Sequence, residues 1–431
     1  MMHVFTSIQR QGRSLFQWVF HPADTEQRNM RNVMIDGVGV GLVNGVATFL
    51  AVFLVRLEAS AFLVGLLTSL PALAGMLLAL PIGRLLERQR NIIPWYTRSR
   101  MLGFAAYLLM GLVPFFIPQD QVALAIILIW ALATVPQTIL NVAFTVVMGA
   151  VAGPDRRYYV MSRRWSILGA TTAISVALCG WVLNQVTFPL NYQIVFIGSF
   201  LGGVLSFAFA SRIIIPDNEP PDAADAVQGW RARVAESVGA LRENVAYSRF
   251  LGSQFVFRLG MALGLPLFPL YWVRELNASD AWIGVINTVA SAVLLVAYFI
   301  WSGLTRRRGA GLVLRICVFG VACYPLLTAL TKSAAPLPLY AGLSGLFNAG
   351  IELVLFDILL ATSPQRRTAS YVALYQLTTY VALFFGPFIG TTLAGMFGYA
   401  PALIVAALVR FCGLGLFVLY GVGARGDKVT R

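Results

Sequence analysis

Residues 41–88 read GLVNGVATFLAVFLVRLEASAFLVGLLTSLPALAGMLLALPIGRLLER, and residues 260–307 read GMALGLPLFPLYWVRELNASDAWIGVINTVASAVLLVAYFIWSGLTRR. The two stretches align at a constant offset of 219 residues without a gap. Identical positions include Gly41/Gly260, Gly45/Gly264, Phe49/Phe268, Leu57/Leu276, Ala59/Ala278, Ser60/Ser279, Gly65/Gly284, Leu85/Leu304 and Arg88/Arg307. Chance supplies several matches in apolar sequence, so the order of features carries the argument. In each copy a glycine-spaced apolar segment runs to a short polar break ending Ala-Ser. A second apolar segment follows and closes in a burst of arginine. This is a repeated pair of membrane spans, and parallel repeats about an axis normal to the membrane are a recurrent plan of polytopic proteins.

Composition agrees with that reading. Of 431 residues, 58% are hydrophobic and 12% charged, and the mean hydropathy is +0.76. A soluble domain carries about 25% charge, so the chain belongs to the multi-pass membrane class. The net charge of +14 does not point to nucleic acid. The arginines sit in short clusters between apolar spans, as the positive-inside rule requires. Residues 1–28 are polar and lack a long apolar core, so no cleavable signal is expected. Phe16, Trp18 and Phe20 beside Arg10 and Arg13 make that segment either an interfacial amphipathic helix or a cytosolic tail. Cys179, Cys317, Cys323 and Cys412 lie in apolar spans without metal-ligand spacing, so neither disulfide nor metal is implied.

A span needs roughly 20 apolar residues. Twelve segments meet that need: 31–55, 61–83, 95–117, 121–149, 162–185, 192–214, 249–273, 281–303, 312–331, 337–362, 369–394 and 400–423. The side that would hold both termini carries 27 of the 32 Lys and Arg; Arg56, Arg274 and Lys332 lie opposite, and Arg258 and Arg410 within spans. Both termini are therefore expected in the cytoplasm, with the chain in a cell (inner) membrane. The organisation read from this pattern is a cytoplasmic segment 1–30, a six-helix bundle 31–214, a linker 215–248, a second six-helix bundle 249–423 and a cytoplasmic tail 424–431. The linker opens on the acidic, proline-rich run Pro216–Asp222. It continues with Trp230, Val234, Val238, Leu241 and Val245 at helical spacing, which suits a helix on the cytoplasmic membrane face. A second repeat, Pro154-Asp155-Arg156-Arg157 and Pro364-Gln365-Arg366-Arg367, marks the link between the fourth and fifth spans of each half.

Residues 83–91 run Gly83-Arg84-Leu85-Leu86-Glu87-Arg88-Gln89-Arg90-Asn91. This resembles motif A of the major facilitator superfamily, roughly Gly-x-Leu-x-Asp-Arg-x-Gly-Arg-Arg after the second span. Gly83, Leu85 and Arg88 match, Glu87 stands for the Asp, and Arg90 departs from the usual Gly. The second copy, Ser302 to Gly309, keeps the Leu, Arg and Gly positions and lacks the acid. With twelve spans, a 6+6 repeat and a long central loop, the resemblance covers nearly the whole chain. It implies an all-α integral membrane protein with twelve transmembrane helices in two six-helix pseudo-symmetric bundles. It also implies that Gly83, Glu87 and Arg88 form a cytoplasmic gating latch, Gly83 by letting backbones approach; a purely topogenic Arg88 is the alternative. The fourth-span stretch Ala133–Thr138 lacks the arginine of the drug exporters' motif B, and the Gly-Pro of motif C is missing from the fifth span. No substrate subfamily follows.

Only Asp36, Glu352 and Asp357 among the 18 acids fall within these spans. Such charges are costly in lipid and normally face a cavity or a partner. At about 1.5 Å per residue, Arg258 and Glu352 lie roughly 14–15 Å deep, and Asp36 and Asp357 about 8–9 Å. The first two are near the midplane, where secondary carriers bind substrate. In the superfamily spans 1, 4, 7 and 10 line the central cavity, so the resemblance places all four there. Glu352 is expected to pair with Arg258, with Arg410 as a rival partner and a permanent structural lock as the bland alternative. Asp36 has Arg31, Arg98 and Arg100 within reach. Asn44 on span 1, Gln137 and Asn141 on span 4, Asn348 on span 10, and Gln376 and Tyr380 on span 11 extend the set. They either bind a solute or join helices at about 1 kcal/mol each.

His3 and His21 are the only histidines, and Glu352 and Asp357, five residues apart, diverge around their helix. An enzyme is not expected, nor any cofactor, with H+ as the coupling ion. The reading is a secondary active transporter of a small organic solute working by alternating access. Its expected activity is proton-coupled efflux of an amphipathic compound, with Glu352 or Asp36 carrying the proton. A non-transporting receptor or assembly factor, or a lysolipid or lipid flippase, are the alternatives on the same fold. The expected partners are a small-molecule substrate and the bilayer, no nucleic acid, and no second copy: the chain is expected to be monomeric.

Overall fold

A computed structural model describes residues 24–216, 244–363 and 368–423. The predicted amino-terminal segment up to residue 23, the linker helix around Trp230, the Pro364–Arg367 repeat and the tail 424–431 lie outside them, as do the side chains of Glu87 and residues 152–159.

Every described span is helical. Span 1 is Thr25–Ala47 continued by Leu50–Arg56, span 2 Ala61–Glu87, span 3 Ile93–Leu112 and span 6 Leu190–Ala210. Span 7 is Val245–Gly264, broken at Leu265–Pro266 and resumed as Leu267–Leu270 and a π turn, Tyr271–Glu275. Spans 8 to 12 are Asp280–Arg308, Ala310–Ala329, Leu337–Thr362, Thr368–Phe397 and Tyr399–Leu419. Eleven stretches among the described residues are long and apolar enough to cross a membrane. Ile93–Leu112 is not among them; it carries Arg98 and Arg100. Val245, expected on the linker helix, is instead the first residue of span 7.

Spans 4 and 5 form one run of helical backbone, Gln119–Gln185, so the link expected between them is itself helical. Laid straight, 67 residues would extend about 100 Å. Val122 and Ile126 from one end share a core cluster with Val176 and Leu183 from the other, so the chain doubles back within the run.

The 219-residue repeat extends to backbone detail. Ser60 Oγ accepts the Leu63 N–H at 3.3 Å, and Ser279 Oγ accepts the Trp282 N–H at 3.4 Å. The shared Ala-Ser is thus an N-cap that starts spans 2 and 8. Just before it, Glu58 (φ 58°) and Asn277 (φ 48°) both adopt the left-handed conformation. That conformation turns the chain out of one helix and into the next.

In the first half, span 1 packs on spans 5 and 6, and span 3 on span 6. In the second, span 7 packs on spans 11 and 12, and span 10 on spans 8 and 9. The halves meet through span 2 against span 11 and span 5 against span 8, two contacts that the repeat interchanges. Span 5 crosses span 8 where a Cβ on Gly180 would stand 2.9 Å from the Gly284 Cα. Only glycines permit that approach.

The apolar core divides unequally. On the face opposite the arginine clusters, one cluster draws on both halves, joining Leu54, Val55 and Tyr192 to Leu270, Ile283 and Tyr324. Towards the arginine-rich face there are two separate clusters, one around Val33, Ile82 and Val147 and one around Phe250, Trp301 and Leu355. The bundles are therefore joined on the far side and parted on the arginine-rich side.

Candidate functional site

Span 7 carries Arg258 and span 10 carries Glu352. The Arg258 Nη1 and Glu352 Oε1 atoms lie 2.8 Å apart, with side chains 17% and 52% exposed. The Tyr375 hydroxyl of span 11 also bonds Arg258, and the Tyr375 ring stacks on Phe250 at 6.0 Å. One turn earlier on span 7, buried Gln254 donates to Thr379 Oγ1 at 3.0 Å, which ties span 7 to span 11 behind the arginine. A charge placed among helices needs a partner, and here it has one. The carboxylate stays half-exposed, so the pair can exchange with a solute or a proton.

Arg410, the rival partner, is elsewhere. Its guanidinium is buried and donates to the Gly260 carbonyl at 3.1 Å and the Val321 carbonyl at 3.0 Å, joining spans 12, 7 and 9. Asp357 is exposed, and no ion pair among the described residues reaches it.

Asp36 departs from the expectation of a cavity residue: it is fully buried inside the first bundle. Arg100 of span 3 pairs with its Oδ1, and Ser206 of span 6 donates to the same oxygen at 2.6 Å. Arg164 of span 5 reaches Oδ2 at 3.2 Å, and the Tyr96 hydroxyl stands 3.5 Å from it. Arg164 also lies over the Phe144 ring at 4.7 Å. Four spans converge on one carboxylate that has no free face for substrate. Arg100 was within sequence reach, whereas Arg164 and Ser206 are brought in only by packing. Arg31 turns instead to Asn32, and Arg98 is exposed.

The uncharged candidates divide. Asn44, Asn141 and Gln376 are exposed, and Gln137 is half-buried. Asn348 spends its amide donors on its own helix, at 2.9 Å to Ser344 O and 3.1 Å to Ser344 Oγ. Tyr380 lies on the seam between bundles, its ring 2.7 Å from where a Cβ on Gly75 would stand. Of the motif A residues, Arg88 is exposed, and no bond from it to the other bundle occurs among the described residues. Gly83 has nothing within 4 Å of a built Cβ, so the close backbone approach expected there is absent in this conformation.

Sequence reasoning missed a second polar constellation at the far face. Arg56 bonds Asp280 at 3.1 Å and the Ala278 carbonyl at 2.6 Å, and Arg274 bonds the Ala59 carbonyl at 2.5 Å. Arg56 and Arg274 were two of only three basic residues on that side, which was a usable signal.

Two six-span bundles joined at one face and parted at the other, with a charged pair between spans 7 and 10, define an all-helical multi-pass fold. Solved structures agree on the fold. A peptide transporter POT superimposes with a TM-score of 0.71 at 14% identity, covering 92% of this chain and 95% of that one. The nucleoside transporter NupG gives 0.69 at 14% identity, over 92% and 100%. Residues 250–430 match the sequence model of the Major Facilitator Superfamily. The second half of the chain is thus similar to that superfamily. Multidrug resistance protein MdtG of Salmonella paratyphi C is 27% identical over 164 residues, 36% of this chain and 40% of that protein. The chain thus spans well under half the length of the curated relatives it matches.

Proposed function

We propose that this chain is a secondary carrier that moves a small organic solute across a bacterial inner membrane by alternating access. The arginine-rich face is then cytoplasmic, as the positive-inside rule requires. The Arg258–Glu352 pair carries this reading: two opposite charges near mid-depth, with the acid half-exposed. Glu352 is the proton carrier in this scheme, since Asp36 is already committed to Arg100, Arg164 and Ser206. A proton on Glu352 releases Arg258 to the solute, and loss of that proton restores the pair.

The likeness to MdtG favours efflux of an amphipathic compound. Gly83, Glu87 and Arg88 are assigned as the cytoplasmic latch of the opposite, outward-open state, and the functional unit is a monomer. The test is flux in reconstituted vesicles under an imposed pH gradient, with lipophilic cations and neutral drugs as probes. Proton-linked flux lost in Glu352→Gln and retained in Asp357→Asn is the expected result. Binding without gradient-driven flux in the unaltered protein would sink the carrier reading.

A further inference from the structure

The far face holds its two bundles together by a bond that each half makes with the other. The Arg56 Nη2 donates to the Ala278 carbonyl at 2.6 Å, and the Arg274 Nη2 donates to the Ala59 carbonyl at 2.5 Å. Ala59 and Ala278 are repeat mates at the 219-residue offset. Each carbonyl is offered by a similar turn, closed over five residues in the first copy and six in the second. A left-handed residue, Glu58 or Asn277, ends one helix, and the alanine N–H folds back at 3.0 Å to Leu54 O or 2.9 Å to Trp272 O. Neither left-handed residue is a glycine, and non-glycine residues held there cluster at functional sites. Val55, Arg56, Glu58, Val273 and Arg274 line one open depression between the halves.

The two copies then diverge. Asp280 has Ala61 as its repeat mate, and among the described residues only the Arg56 side of the latch forms an ion pair across the seam. From the second half, Asp280 is held by two groups of the first: Arg56 at 3.1 Å and the Tyr192 hydroxyl at 2.9 Å. Tyr192 is itself fixed, buried and stacked on Phe53 at 4.7 Å. Among the described residues no ion pair joins Arg274 to the other half, and it leans on Tyr399 of its own half at 2.7 Å.

We infer that Arg56, Arg274, Asp280 and Tyr192 form a reciprocal latch that keeps the far face closed, with the Arg56–Asp280 arm as its stronger side. The latch rests on the alternating-access reading: opening the far face must break both arginine–carbonyl bonds together, because one rotation about the shared axis separates both. Charge-assisted bonds are stronger than neutral ones. Only the Arg56 arm joins two full charges across the seam, so its loss biases the equilibrium most.

The experiment measures far-face distance directly. Spin labels go on Asp120→Cys and Lys332→Cys, exposed far-face positions in opposite halves, in a background with Cys179, Cys317, Cys323 and Cys412 replaced by Ala. Expected is a shift toward a longer distance of roughly tenfold in population for Arg56→Ala or Asp280→Asn, and a smaller shift for Arg274→Ala. The charge-swapped pair Arg56→Asp with Asp280→Arg is expected to recover most of the short distance, which a merely misfolded protein would not do. An unchanged distance in all three single variants would overturn the latch and leave the shared apolar core as the closing force. Flux measured on the same preparations separates the two readings. The expected distance shifts without flux in the unaltered protein uphold the latch and sink the carrier; flux with no shifts does the reverse.

Discussion

The Arg258 guanidinium and the Glu352 carboxylate meet at 2.8 Å, yet the first is 17% exposed and the second 52%. An ion pair with one mostly covered and one open member is not symmetric to mutation. Glu352→Gln strands a largely buried cation, while Arg258→Ala leaves a carboxylate that water already reaches. Glu352→Gln is expected to cost more thermal stability than Arg258→Ala, by on the order of 1–2 kcal/mol. Unfolding of both variants in one detergent checks this, and the reverse order would remove Glu352 from the cavity.

Asp36 answers two buried arginines, Arg100 and Arg164, with one carboxylate. Asp36→Asn leaves both without a counterion, and loss of a buried pair's partner costs about 3–5 kcal/mol. Arg164→Ala keeps the Asp36–Arg100 bond and is expected to cost less. Expression and melting temperature rank the two; Arg164→Ala as the worse variant would contradict this arrangement.

Gly75 and Gly180 allow contacts between bundles that a methyl group obstructs. A Cβ at Gly75 would lie 2.7 Å from the Tyr380 ring, and one at Gly180 would lie 2.9 Å from the Gly284 backbone. The ring can shift and the backbone cannot. Gly180→Ala is therefore expected to depopulate the far-face-closed state more than Gly75→Ala, with Tyr380→Ala rescuing only the latter. The far-face label distance measures both.

Glu58 holds a left-handed conformation at φ 58° without being a glycine. Glu58→Gly is expected to relieve about 1 kcal/mol of local strain and raise the melting temperature slightly. Asn277→Gly should gain less, because Asn tolerates that region better. A drop in stability for Glu58→Gly would show that the Glu58 side chain itself bonds at the far face.

Much of this protein was legible before any coordinates. The repeated Ala-Ser break read as a span boundary, and Ser60 and Ser279 cap the helices that follow it. The Arg258–Glu352 pair was legible because both residues stand at equal depth on different spans, where an isolated charge is costly. Asp36 shows where that logic stops. Depth along a helix places a charge in the membrane but not on a face, and the face was decided by Arg164 and Ser206, which lie 128 and 170 residues away.

By itself the sequence determined the membrane class, the doubled six-span plan and the residues costly enough in lipid to require partners. These follow from local quantities: hydropathy per span, charge per loop and an offset that recurs. Tertiary structure alone decided which charges meet. Asp36 is enclosed by its own bundle, Arg410 is satisfied by the Gly260 and Val321 carbonyls, and Arg56 crosses to Asp280 in the other half. Partner choice depends on helix rotation and crossing, and those are set by glycine contacts such as Gly180 on Gly284. A glycine's position is written in the chain. The helix it will touch is settled only when the bundles pack.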